Sequence, residues 1–411
     1  MHANVAVVDA THGRLAMSLF ASAEQAPADP ILGLTEAFHK DQRSDKVNLG
    51  VGVYLDESGA IPLMDAVRQA QEQYVAAQKP HGYLPIDGLP AYRDQTRALI
   101  FGDDADIDHV TTVQSLSGTG ALRIGGELLK QLSPDSRLLL SNPSWENHRA
   151  LFTQVGFDVD TYTYYDADAR GINFAGMLDD LQQAKAGTVV VLHACCHNPT
   201  GYDLTDAQWD QVVQVIGERE LVAFVDMAYQ GFGDGPDADT ALVGKLMTAK
   251  LPFLLATSYS KNFGLYGQRT GALHVATSDA DEATRVLSQL KLLIRKSYSN
   301  PPAFGANVVA TVLGDADLRA SWESELQHMR ERIASLRTKL VEHLAAQGVD
   351  DMGFIAEQRG MFSYCGLTRD QMQRLRAEHG VYGTDAGRLC VAALNDGNIE
   401  KVASAIANVH G

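Results

Sequence analysis

Apolar runs that do not alternate with polar residues constrain this chain more than any other feature. They are Arg137-Leu138-Leu139-Leu140-Ser141, Thr188-Val189-Val190-Val191-Leu192-His193, Leu221-Val222-Ala223-Phe224-Val225-Asp226 and Phe253-Leu254-Leu255-Ala256. A strand with one wet face alternates, so runs like these are buried on both faces. Helical patterns lie between them, which predicts an α/β fold: a large domain with a mostly parallel, doubly wound sheet, plus a small α/β domain. Ligands of such sheets bind at the C-terminal strand edge, so the residues that follow each run are the candidate site.

Three of those residues carry chemistry. Lys261, in Ser258-Tyr259-Ser260-Lys261, stands just past one run and before another, Gly271-Ala272-Leu273-His274-Val275. A lone lysine is ordinarily a solvated loop residue. Here Ser258, Ser260 and Arg269 would suit a phosphate beside an amine. Asp226 directly follows Val-Ala-Phe-Val, and burying its carboxylate is costly unless a positive group meets it; capping the next turn is the competing explanation. Asn198 follows the Thr188–His193 run, so all three converge on one crevice if the strands are parallel. Ser117-Gly118-Thr119-Gly120 opens a helix pattern whose free N–H groups form an anion site. Arg123 occupies the place of the third glycine of a dinucleotide fingerprint, which argues against a nicotinamide oxidoreductase.

Elsewhere the sequence organises rather than reacts. A short helical pattern spans 28–45, and Val47–Tyr54 reads as a strand whose Gly50 and Gly52 allow close backbone approach. Pro62 opens a helix to about Gln78, and the loop after it carries Tyr83, for which packing and a ligand role both remain open. A helix breaks near Arg295. Trp322, Leu326, Met329, Ile333, Leu336, Leu340 and Leu344 mark a long amphipathic helix over 317–346, read as packing. Arg388 stands just before a strand. The expected division is an extension without regular structure (1–16), an arm and part of the small domain (17–61), the large domain (62–325) and the rest of the small domain (326–411).

With 51 acidic against 34 basic residues the net charge is −17, which opposes nucleic acid and anionic membranes as partners. An acidic substrate would need arginines focused in a cleft. No apolar run approaches a membrane span and the N-terminus lacks a signal-peptide pattern, so a cytoplasmic setting is expected. Cys195, Cys196, Cys365 and Cys390 lack disulfide or zinc spacing. His193 and His197 flank the first pair, but strand alternation would send Cys195 and Cys196 to opposite faces, so no metal is expected.

Taken together, SGTGAL, SNPSWENH, CCHNPTG, DMAYQGF, SYSKNFGLYGQR, YSNPP and AGRLCVA, in that order, resemble the class I pyridoxal phosphate aminotransferases. The likeness runs from about Met17 to the end and is strongest to the bacterial aspartate and aromatic amino acid enzymes. It implies fold type I, pyridoxal 5′-phosphate as cofactor, and ping-pong transfer of an amino group from aspartate, tyrosine or phenylalanine to 2-oxoglutarate. It also implies that Lys261 is the Schiff-base lysine, that Asp226 partners the pyridine nitrogen, and that Tyr229 and Asn198 donate to the ring's phenolic oxygen. Trp145 would stack on the ring, while Ser117, Gly118, Thr119, Ser258 and Arg269 cradle the phosphate. Tyr83 would reach the phosphate of a neighbouring subunit, so a homodimer is implied. Arg388 would hold the substrate α-carboxylate, Arg295 of the other subunit a side-chain carboxylate, and Gly50 would close over the substrate beside Trp145 and Asn198.

One departure stands out. Asp385 and Ala386 replace the apolar residue and serine usual before Gly387-Arg388, and an acid there either weakens Arg388 or points away. A pyridoxal phosphate lyase, or an aminotransferase of another substrate class, is the alternative on the same fold. Two arginines that grip carboxylates argue against decarboxylation.

Overall fold

A seven-stranded sheet forms the centre. In spatial order its strands are Val110–Leu116, Thr270–Ala276, Phe253–Ser258, Val222–Met227, Val189–His193, Arg137–Asn142 and Asp158–Thr163. All are parallel except Thr270–Ala276, which runs against both neighbours. The computed structural model describes residues 19–25, 32–102 and 107–411, so the expected extension over 1–16 lies outside them.

The apolar runs behave as their lack of alternation requires. Val190, Leu192, Ala223, Val225 and Leu255 enter one hydrophobic cluster; Val189, Val191, Phe224, Leu254 and Ala256 enter the other. Successive residues thus bury on opposite faces, and both faces are covered. The direction of chain progression reverses between Arg137–Asn142 and Val189–His193, with Asp158–Thr163 added on one side and the later strands on the other. That reversal opens a crevice at the C-terminal strand edge.

The long helix spans Ala316–Ala345, and every residue of its predicted stripe from Trp322 to Leu344 is buried. Each such side chain contributes roughly 1.5–3 kcal/mol of burial. The Trp322 indole N–H also donates to the Asn262 carbonyl at 2.7 Å, tying this helix to the segment that follows Lys261. Glu325, one turn on, accepts the N–H groups of Asp65 and Ala66 at 2.8 and 3.1 Å. It thereby caps the Asp65–Ala76 helix, whose N-cap is Met64. Pro62 therefore precedes that helix instead of opening it.

Three other expectations are corrected. Of Val47–Tyr54 only Val47–Asn48 is a strand, paired in parallel with Val381–Tyr382. Beyond Leu49 the pairing gives way to local and side-chain bonds: Gly50 N–H donates to Asn48 Oδ1 at 3.0 Å, Val53 N–H to the Val51 carbonyl at 3.0 Å and Tyr54 N–H to the Tyr266 hydroxyl at 2.9 Å. The helix expected over 28–45 is Leu32–Lys40, and residues 26–31 are outside the described set. Cys195 and Cys196 lie in the turn past His193, not in a strand, and Cys196 has a positive φ of 51°. Alternation therefore does not govern them. Among the described residues no three His, Cys, Asp or Glu side chains are grouped to hold a metal ion. No described helix is long and apolar enough to cross a membrane.

Candidate active site

Strand register brings the chemistry together. Asp226 is the penultimate residue of Val222–Met227, opposite His193 on one side and Ala256 on the other. Lys261 follows Ser258 by three residues at the same sheet edge. Both line one cavity of about 220 Å³ together with Ser117, Gly118, Thr119, Trp145, Asn198, Tyr229, Ser258, Arg269 and Arg388.

Asp226 is 9% exposed, and burial alone would raise its carboxyl above the usual range. The opposing interactions win and hold it below. Nε2 of His148 lies 2.9 Å from Asp226 Oδ2, and the other ring nitrogen of His148 is 2.9 Å from Ser144 Oγ. The hydroxyl thus occupies Nδ1, and Nε2–H donates to the carboxylate. The positive group demanded by sequence burial is joined by this buried histidine, which sequence reasoning did not single out. His193, packed edge-on to His148 at 5.2 Å, is pulled down to about 3 by burial and by His148. It stays neutral near pH 7 and accepts the Asn198 N–H on Nδ1 at 3.1 Å.

Lys261 faces the opposite problem. Burial pulls its ammonium down to about 8; Asp226 opposes this, while the Arg269 and Arg388 charges add to it. Its Nζ sits 4.5 Å from the centroid of the Tyr229 ring. A lysine poised there exchanges a proton close to neutral pH.

At one end of the cavity three hydroxyls form a triangle. Ser117 Oγ lies 3.3 Å from both Ser258 Oγ and Ser260 Oγ, which are 3.2 Å apart. Ser117 begins the Ser117–Leu132 helix, so unpaired N–H groups and a positive helix end accompany the hydroxyls. That helix start rests against Gly271, where a Cβ would come within 2.5 Å of the Ser117 carbonyl carbon. Arg269 closes this end.

At the other end Arg388, the first residue of the Arg388–Cys390 strand, is fully enclosed. Its guanidinium donates to Asn198 Oδ1 at 3.1 Å and to the Gly50 carbonyl at 3.0 Å, and lies 4.4 Å from the Phe362 ring centroid. Asn198 Nδ2 also reaches the Tyr229 hydroxyl at 3.4 Å, so one amide links both residues. Asp385 points away: it pairs with Arg376 and receives Gln373 Nε2 at 3.3 Å. The open question about Asp385 is answered by that pairing.

Two candidates lie elsewhere in this chain. Tyr83, 95% exposed, and Arg295 share a separate surface hollow with Tyr298 and Phe304. Cavity residues missed by sequence reasoning include His193, Tyr266 and Phe362. His148 had a signal: it stands three residues after Trp145 at a helix start, on the same helical side.

The group implied by the sequence resemblance, a pyridine ring bearing a phosphate, fits these donors. Asp226 offers an anion for a ring nitrogen, Lys261 an amine, and the Ser117–Ser258–Ser260 triangle with Arg269 an anion cradle.

Comparison with known proteins agrees with the cavity. The family model "Aminotransferase class I and II" matches residues 44–406, and the chain belongs to that family. It is a transaminase. Within the family it is 51% identical to an aspartate aminotransferase of Pseudomonas aeruginosa, over 96% of this chain and all of that one. It is 46% identical to the aromatic-amino-acid aminotransferase of Escherichia coli K12, over 95% of this chain and the whole relative. Among solved structures, an aromatic-amino-acid aminotransferase from Burkholderia pseudomallei, covalently bound to pyridoxal phosphate, superposes with a TM-score of 0.93 at 55% identity. The match covers 96% of this chain and all of that one.

Proposed function

We propose that this transaminase moves the amino group of aspartate and of aromatic amino acids to 2-oxoglutarate, with pyridoxal 5′-phosphate as cofactor. The observation that carries this reading is that the Lys261 amine and the Asp226 carboxylate line one cavity, with the enclosed Arg388 guanidinium at its end. When bound, the cofactor supplies an electron-accepting ring.

The residues divide the remaining work. Lys261 Nζ would hold the cofactor and, as a free amine, would accept the proton of the substrate Cα; its lowered pKa favours the neutral form this requires. Asp226, kept ionised by His148, would hold a proton on the ring nitrogen. Tyr229 and Asn198 would donate to the phenolic oxygen, Trp145 would pack against the ring, and Ser117, Gly118, Thr119, Ser258 and Arg269 would hold the phosphate. Arg388 takes the α-carboxylate, beside Gly50. An Arg–carboxylate fork retains that carboxylate, which favours transamination over decarboxylation.

Tyr83 and Arg295 act on the neighbouring active site of a homodimer, since both stand exposed outside this chain's own cavity. Arg295 would meet the side-chain carboxylate of aspartate and yield to an aromatic ring. Domain limits at 17–61, 62–325 and 326–411, and a cytoplasmic setting, complete the reading. To test it, purified protein is given aspartate, tyrosine or phenylalanine with 2-oxoglutarate, and glutamate is measured. Glutamate should form with all three and be abolished by Lys261→Ala; turnover by that variant at an appreciable fraction of wild type would overturn the assignment. Arg295→Leu should depress aspartate turnover far more than phenylalanine turnover.

A further inference from the structure

Arg388 is 1% exposed, yet both hydrogen-bond acceptors of its guanidinium, Asn198 Oδ1 and the Gly50 carbonyl, are neutral. A buried cation with only neutral partners is costly. The acid that faces it is Glu146, whose Oε2 stands 3.7 Å from Arg388 Nη1. That separation exceeds a hydrogen bond. Neither Glu146 Oε2 nor Arg388 Nε has a hydrogen-bond partner, although both atoms are buried. Glu146 opens the Glu146–Val155 helix, where an acid is favoured by the helix dipole. The dipole accounts for an acid at that position, but not for an unsatisfied oxygen turned toward an enclosed guanidinium.

We infer that Glu146 is an internal counter-ion, which holds the place of the substrate's α-carboxylate until substrate binds and so sets the affinity for every substrate. This rests on the reading of Arg388 as the carboxylate fork. A carboxylate that makes paired bonds to Arg388 brings a second anion beside Glu146, and Glu146 must give way. Paired charge-assisted bonds can displace a counter-ion held at 3.7 Å, whereas a small inorganic anion without that geometry gains less. Glu146 therefore keeps the fork open to carboxylates. Because every substrate carries the same α-carboxylate, the penalty is the same whatever the side chain. Such a uniform effect appears in KM.

The test uses the cofactor-loaded enzyme and two amine-free carboxylates that cannot react, 3-phenylpropionate and succinate, with dissociation constants measured by calorimetry. Glu146→Gln should tighten both by the same factor, about three- to tenfold, the scale of a weak partly buried ion pair. Glu146→Ala should shift both in the same direction, and KM for aspartate and for phenylalanine should fall in parallel. Unchanged or weaker binding in both Glu146 variants, with Arg388→Leu binding neither probe, would overturn the counter-ion role alone. Wild-type affinity in Arg388→Leu would overturn the fork reading, and the counter-ion role with it.

Discussion

Lys261 and Asp226 are buried side by side with opposite outcomes: the lysine loses much of its hold on a proton, while the aspartate stays charged. The difference is His148, whose Nε2–H compensates the carboxylate, whereas Lys261 has only a π-face and the partial attraction of Asp226. Replacing His148 with Asn should therefore lower kcat/KM about 10- to 100-fold, the worth of a hydrogen bond to a buried charge, measured with aspartate at saturating cofactor. A second outcome concerns protonation. In cofactor-free enzyme, labelling of Lys261 by an amine reagent should climb with pH through a midpoint of about 8, because the amine is reactive only when neutral. Peptide mass spectrometry across pH 6–11 would reveal a midpoint near the ordinary 10.5 if burial did not act as described. Lys261, Asp226, Asn198 and Arg388 were legible in the sequence because each flanks an apolar run. His148 carried only its spacing from Trp145; its partner lies 78 positions away, and the fold introduces them.

Elements were legible in proportion to the length of their pattern. The Ala316–Ala345 helix shows the same stripe in sequence and in space, because eight turns of three- and four-residue spacing leave one buried face. Val47–Tyr54 was misread, because its glycines and side-chain hydrogen bonds end strand pairing after Leu49, and periodicity carries no trace of either. The start of the Asp65–Ala76 helix was misplaced for a related reason: its cap, Glu325, is 260 positions away. Glu325→Ala should orphan the Asp65 and Ala66 N–H groups and lower stability by about 1 kcal/mol, as loss of an N-cap does. Urea unfolding would measure this, and transaminase activity under native conditions should hold near wild type. Gly271→Ala tests a different junction. An added Cβ would meet the backbone of Ser117 and Thr257, so the helix start must shift. Stability should fall by roughly 1–3 kcal/mol, and the phosphate end should weaken with it, seen as a raised cofactor dissociation constant.

For the whole molecule, acid is the informative stress. His274, enclosed between Thr112 and Thr257, is pulled to about 3 by burial, against 6.5 when unfolded. The unfolded chain therefore takes up the proton first as pH falls, so this contribution to stability is intact above 6.5 and is lost from there down toward 3. Between pH 7 and 5 the loss is about 2 kcal/mol for one such histidine. Asp203, pushed up to about 6 by burial, works in the opposite sense. Comparing His274→Gln with wild type isolates the histidine: chemical unfolding at the two pH values should show a shallower decline in the variant, and parallel declines would refute the account.

The lone antiparallel strand, Thr270–Ala276, has a further consequence. A parallel successor to Phe253–Ser258 would need a crossover of a dozen or more residues and would deliver its entry point to the far rim of the sheet. Reversal instead lets the connection over 259–269 begin and end at one rim, so Arg269 returns to the rim that Lys261 has just left. Amine and guanidinium thus ride on a single connection between two adjacent strands, which the Trp322 indole anchors through the Asn262 carbonyl. Lengthening that connection would detune the pair while the remaining strands kept their places.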